Sequence, residues 1–304
     1  MFKDYLNPIN NFQLIGLKNY FGILKNLIIE DKFPQVLMLT GKKGIGKFTL
    51  INHILHYYYD KSNYDEKKNK FINSSFNKQF KSNLFPNIIF LNSETDKVKI
   101  EDIRKLKTDL SKRPILDNKR FIILDDIETY NLNSLNALLR IIEEPGEQNY
   151  FILINNKSQN LLETIKSRCL EMRVILTEKD RIDTISALED TFKDEIFLDK
   201  DILKVSPGNF LKFNYLFNEK KLDISKSLIS NFKIVLNLYK KEKNIFYKDF
   251  LLFFADYYLQ KNKYNSVNIN FIKTRSFLIK EINNFFLYNV NQNLLFNSIE
   301  SRIS

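Results

Sequence analysis

Three of the chain's seven glycines fall within six residues, at Gly41, Gly44 and Gly46, and Lys47 follows them. Glycines let backbone N–H groups turn toward one point, and a helix starting behind them adds the positive end of its dipole. With a lysine, such a loop cradles phosphate, and the spacing Gly-x-x-x-x-Gly-Lys is that of a P-loop. The next position should carry the hydroxyl that holds Mg²⁺, but it is Phe48, which cannot ligate a metal. Thr49 offers a hydroxyl one residue late, rotated by about 100° around the helix.

Other residues with chemical potential lie further on. Asp125 and Asp126 follow the apolar run 120–124. Such a pair can support Mg²⁺ and polarise a water, or simply cap the exposed end of a strand. Asp126 is one methylene shorter than a glutamate, which shortens its reach to an attacking water. Asn155 and Asn156 end another apolar run, where an amide can orient water or sense a phosphate, and where a turn is equally natural. Arg168, in Ser167-Arg168-Cys169, is either a solvated cation or a guanidinium able to reach phosphate bound by a neighbouring subunit.

These residues need elements to hold them. Apolar runs at 36–40, 87–91, 120–124, 150–155 and 171–176 read as strands. Helical spacing occurs at 17–30, 47–59, 100–111, 132–144 and 161–168, and Pro145-Gly146 stops the fourth. Strands alternating with helices predict a parallel sheet with flanking helices. Residues 60–84 are polar and weakly periodic, and read as a surface insertion. Beyond 176 the strand pattern ends. Helices are expected at 180–192, 200–205 and 210–217, followed by about four aromatic-rich ones.

The 304 residues exceed one typical domain, and 44% hydrophobic with 27% charged content is that of a globular chain. One cysteine excludes an internal disulfide and a multi-cysteine zinc site. With no basic segment ahead of an apolar core at the start and no long apolar run, a cytoplasmic protein is expected. The net charge of +11 suits a nucleic-acid partner. Abundant Lys, Asn, Ile, Phe and Tyr with only nine arginines fit equally well a composition biased by an AT-rich genome.

Taken together, Thr40–Lys47, Ile123–Glu128, Asn136–Pro145 and Leu161–Cys169 resemble the AAA+ clamp-loader ATPases. Ser206-Pro-Gly-Asn-Phe-Leu-Lys212 resembles that family's lid motif, so the resemblance covers about residues 8–215. It implies an α/β AAA+ P-loop domain over 1–174, a small helical lid domain over 175–229 and an all-α collar for oligomerisation over 230–304. It also implies a place in the DNA polymerase III holoenzyme. The partners would be gamma/tau and delta subunits in a hetero-pentamer, which loads a sliding clamp onto primer-template DNA, with no membrane involved. Phe48, Asp126 and Leu211, the last standing where hydrolysing members place a sensing arginine, liken the chain to a non-hydrolysing stator-type subunit. An ATP-hydrolysing gamma/tau-like subunit or another AAA+ ATPase is the alternative. On this resemblance Arg168 is a catalytic arginine finger acting in trans. Gly41, Gly44, Gly46, Lys47, Thr49 and Asp125 form a pocket for passively bound ATP or ADP. Many relatives carry a four-cysteine zinc module after the P-loop helix; residues 58–85 hold no cysteine, so neither zinc nor another metal is expected.

Overall fold

The computed structural model describes residues 4–92, 98–192, 195–200, 204–261 and 269–303. They form two compact units, Met1–Asp194 with Val205–Leu211, and Glu195–Lys204 with Lys212–Ser304.

In the first unit the elements run α1 (Lys18–Ile29), β1 (Val36–Thr40), α2 (Lys47–Tyr59), β2 (Tyr64–Asp65), β3 (Lys70–Phe71), α3 (Ser75–Lys81), β4 (Ile88–Leu91), α4 (Ile100–Leu110), β5 (Arg120–Leu124), α5 (Leu132–Glu143), β6 (Asn149–Asn155), α6 (Glu163–Lys166), β7 (Leu170–Arg173) and α7 (Glu178–Phe192). Five strands make one parallel sheet in the order β4-β5-β6-β1-β7. A strand covered on both faces needs apolar residues at every position, and β1 and β5 are buried throughout. Alternation then sorts their side chains. Leu37, Leu39, Phe121, Ile123, Ile152 and Ile154 enter the core under α1 and α2, while Met38, Ile122, Leu124, Phe151 and Leu153 enter the core under α4 and α5. Helix α5 shows how local sequence sets the bounds. The Asn131 side chain caps it by accepting from the Ser134 amide at 2.8 Å, and Leu135, Leu138, Ile141 and Ile142 form its buried stripe.

Several expectations need correction. Residues 60–84 are not a loose surface insertion: they form the β2–β3 hairpin and α3, with Tyr64, Phe71, Phe76 and Phe80 buried against α2. The His56 ring stacks on Phe71 at 3.6 Å between centroids, and His53 Nδ1 bonds the Tyr64 hydroxyl at 3.0 Å. Widely spaced aromatics in a polar stretch thus find their partners on another element, which local periodicity does not reveal. The expected helix over 161–168 shrinks to α6, because Leu161 and Leu162 are spent reaching the core. Residues 204–205 are not helical, and 201–203 of the expected helix 200–205 lie outside the described residues. The final strand is the four-residue edge strand β7.

α8 (Pro207–Glu219) is followed in the second unit by α9 (Leu228–Glu242), α10 (Phe246–Lys261), α11 (Ile269–Tyr288) and α12 (Gln292–Ile303). There α10 packs on α9 and α11, and α12 returns to α11 and α9. Phe232, Phe250, Phe254, Leu278, Ile282 and Ile299 are buried, and the Arg275 guanidinium ties α11 to Asp256 of α10 through two bonds of 2.8 Å.

Candidate functional site

Because the five strands are parallel, their C-terminal ends share one edge of the sheet. Thr40, Asp125 and Asn155 all leave the sheet there. The strand order puts β6 between β1 and β5, so the Asn155–Asn156 turn stands between the glycine loop and the carboxylates.

The loop itself is internally satisfied. Lys47 is 3% exposed, and its Nζ donates to the carbonyls of Gly41 at 2.7 Å and Lys42 at 2.9 Å. Burial pushes this ammonium down to about 8, against the opposing pull of Asp125, Glu128 and Asp126. Gly44, at φ 80°, is wedged against the start of α8. The Gly208 amide donates to the Gly44 carbonyl at 2.8 Å, and the Ser206 hydroxyl donates to the Lys43 carbonyl at 2.5 Å. A side chain at Gly44 would meet Asn209 Oδ1 and Ser206 Oγ at 2.6 Å, so only glycine fits. Residues 206–209 therefore close over the loop, and Leu211 is buried.

Phe48 turns away from the loop, half-buried against the core beneath α2, with its ring 5.1 Å from that of Phe90 in β4. Thr49 is nearly buried in the first turn of the same helix. The carboxylates are engaged as well. Asp126 is 5% exposed and left-handed at φ 50°; it accepts from Asn156 Nδ2 at 2.5 Å and pairs with Lys43 Nζ at 3.3 Å. Its own amide donates to Asp125 Oδ1 at 2.8 Å. Glu128 accepts from the amides of Asn156 and Ser158 and from the Ser158 hydroxyl, between 2.8 and 3.1 Å. Lys43 and Glu128, not singled out from the sequence, thus tie the acidic strand end to the loop and to the asparagine turn. Nothing in their spacing signals it.

Two positions that a P-loop uses for magnesium and water are engaged in the fold here. The hydroxyl position is an aromatic ring packed in the core, and the acid that would hold an attacking water is fixed by Lys43 and Asn156. Among the described residues, no group of three or more His, Cys, Asp or Glu is arranged to hold a metal.

Arg168 lies elsewhere. Helix α6 leads into the start of β7, whose Leu170 is level with Leu37, so Arg168 sits at the N-terminal edge of the sheet. From Leu37 to Gly41 the strand alone rises about 13 Å. Arg168 therefore cannot serve the chain's own loop. Its guanidinium is exposed, with Nε donating to Glu143 Oε1 at 2.8 Å, Nη2 in an ion pair with the same oxygen at 2.6 Å, and Nη1 donating to the Thr164 carbonyl at 2.9 Å. The adjacent Cys169 thiol donates to the Ile165 carbonyl at 3.0 Å, and burial pushes it up to about 12, which makes it packing rather than a nucleophile. The structure thus gathers Gly41, Gly44, Gly46, Lys47, Thr49 and Asp125 at one edge and sets Arg168 at the other.

A family model described as "DNA polymerase III, delta subunit" matches residues 16–177. The chain belongs to this family. Among relatives of this clamp-loader family, the DNA polymerase III subunit delta' of Buchnera aphidicola is 29% identical over 156 residues, 47% of this chain and 44% of that one. The delta' subunit of Bacillus subtilis is 26% identical over 147 residues, 48% and 44%. The matched segments thus span less than half of those relatives. A DNA polymerase III subunit gamma/tau from Mycoplasma genitalium is 29% identical over 205 residues, 67% of this chain and 33% of that protein. In fold, the chain is similar to a DNA polymerase III gamma subunit-related protein from Thermotoga maritima. That likeness has a TM-score of 0.51 and 18% identity, over 93% of this chain and 98% of the other. The family's AAA+ architecture agrees with the parallel sheet, its flanking helices and the helical C-terminal part. No helix among the described residues is long and apolar enough to cross a membrane.

Proposed function

We propose that the chain is a delta'-type stator of a DNA polymerase III clamp loader: it assembles with gamma/tau and delta subunits and supplies Arg168 in trans to ATP held by its neighbour. The observation that carries this reading is the opposition of the two edges. The loop that should hold ATP has spent Lys47, Asp126 and its carbonyls on internal bonds. The arginine that can stabilise a phosphoryl-transfer transition state is exposed at the far edge. ATP or ADP taken up by residues 41–47 is then a passive ligand, with Lys47 moving from its carbonyls to phosphate. Loading of a sliding clamp onto primer-template DNA belongs to the whole assembly, in the cytoplasm, and residues 230–304 contribute to its collar.

The test is reconstitution. Mixed with gamma/tau and delta subunits, the chain should co-elute as one complex, whose ATPase rises with clamp and primed DNA. The isolated chain should show no hydrolysis in a single-turnover assay. Hydrolysis by the isolated chain that Lys47→Ala abolishes would sink the stator reading and favour a gamma/tau-like motor.

A further inference from the structure

We propose that Glu143 is a positioning residue for Arg168, holding the guanidinium edge-outward so that a neighbour's phosphate meets a preset fork. The inference rests on the trans role of Arg168 given above.

An arginine in the turn after a four-residue helix has four side-chain torsions and little local structure to fix them. Ordering it at the moment of reaction would cost rotamer entropy. Here the ordering is supplied in advance from two elements. The Glu143 Oε1 atom, at the last residue of α5, accepts from Nε and lies 2.6 Å from Nη2 in an ion pair, and the Thr164 carbonyl accepts from Nη1. The Ser167 hydroxyl adds a longer contact to Nη1 at 3.4 Å. Acceptors on both flanks fix the guanidinium plane. The side chain is still 36% exposed, so phosphate oxygens can approach the guanidinium from solvent.

The position of Glu143 argues for a task beyond helix stability. Partial negative charge accumulates at a helix C-terminus, so cations are favoured there and acids disfavoured. Yet α5 ends on Glu143 and continues into Glu144. The pair with Arg168 is also half-exposed, with side-chain exposures of 36% and 45%, so it adds little to folding. An acid that serves neither its helix nor the fold, yet holds one guanidinium by a hydrogen bond and an ion pair on a single oxygen, serves to aim that guanidinium.

The experiment compares Glu143→Ala, Glu143→Gln, Arg168→Ala and the double variant in the reconstituted loader, with clamp and primed DNA. Glu143→Ala should lower kcat about 3- to 10-fold with KM for ATP nearly unchanged, because only the transition-state contact loosens. Glu143→Gln keeps the Oε1 acceptor and should recover most of the rate. The double variant should be no slower than Arg168→Ala, and the melting temperature of the chain should hold in all four. A normal rate for Glu143→Ala beside a slowed Arg168→Ala overturns the positioning role alone. So do losses that multiply in the double variant, or a glutamine that fails to rescue. A normal rate for Arg168→Ala overturns the trans reading itself, and the positioning role with it.

Discussion

The two edges of one parallel sheet hold their polar groups differently. At the C-terminal edge, where open α/β sheets bind their ligands, the glycine loop, the lysine and the acids bond to one another. At the N-terminal edge, an exposed arginine is held by Glu143 and the Thr164 carbonyl. Polar groups that satisfy each other become structure, and a polar group that is oriented but unspent remains available for chemistry. On the proposed reading, the loop is scaffold and the arginine serves a neighbour.

The largest effect should come from the exposed edge. Arg168→Ala should slow hydrolysis at the neighbouring subunit's site by about 10³-fold, or about 4 kcal/mol of transition-state stabilisation. Single-turnover ATPase of the reconstituted complex measures it. A rate unchanged in the complex would erase the contrast between the edges.

Next in size is a pH effect on the scaffold behind the loop. Burial holds His53 at about 3 and His56 at about 4, both below the usual 6.5. The unfolded chain therefore binds protons that the folded chain refuses. Stability should be full above about pH 7 and fall as the pH drops from there toward 4. Between pH 8 and pH 5.5 the two histidines should cost about 3 kcal/mol together. Denaturant unfolding at the two pH values checks the sign; equal stability would mean that α2 and its hairpin admit charge and are looser than their packing.

What was legible in the sequence follows the range of the forces involved. The strands β1, β5 and β6 and the helix α5 announce themselves because each is decided by its own residues: continuous apolar runs in the strands, and a capped amphipathic stripe in the helix. The P-loop spacing and the departure at Phe48 are equally local. The hairpin and α3 were not legible, because Phe71, Phe76 and Phe80 make sense only opposite His53 and His56. The closure of the loop by Ser206 and Gly208 pairs residues some 160 positions apart. Glu143 left one faint mark, an acid where a helix end favours a base.

Phe48 offers the next test. Replacing it with Ser restores the side-chain type that the loop motif calls for, yet removes the ring packed on Phe90. The expected result is a loss of about 2 kcal/mol of stability and no magnesium-dependent hydrolysis, since Asp126 stays tied to Lys43 and Asn156. Hydrolysis gained by this one change would show that residue 48 alone had disabled the loop.

The smallest effect is expected at the residue that the motif marks as most important. In Lys47→Met two changes oppose each other. The Gly41 and Lys42 carbonyls lose their donor, which costs about 1–3 kcal/mol. The fold is also relieved of a buried ammonium, whose lowered pKa of about 8 shows that the charged form is disfavoured there. These should leave stability within about 1 kcal/mol of the parent at pH 7. The sign is open to a second check. A lysine held near 8 when folded and near 10.4 when unfolded makes the parent gain stability as pH rises between those values, and the methionine variant should lose that gain. ATPase of the reconstituted complex should not change. A fall comparable to that of Arg168→Ala would mean that phosphate at residues 41–47 matters to the assembly, and that both edges of the sheet are chemical.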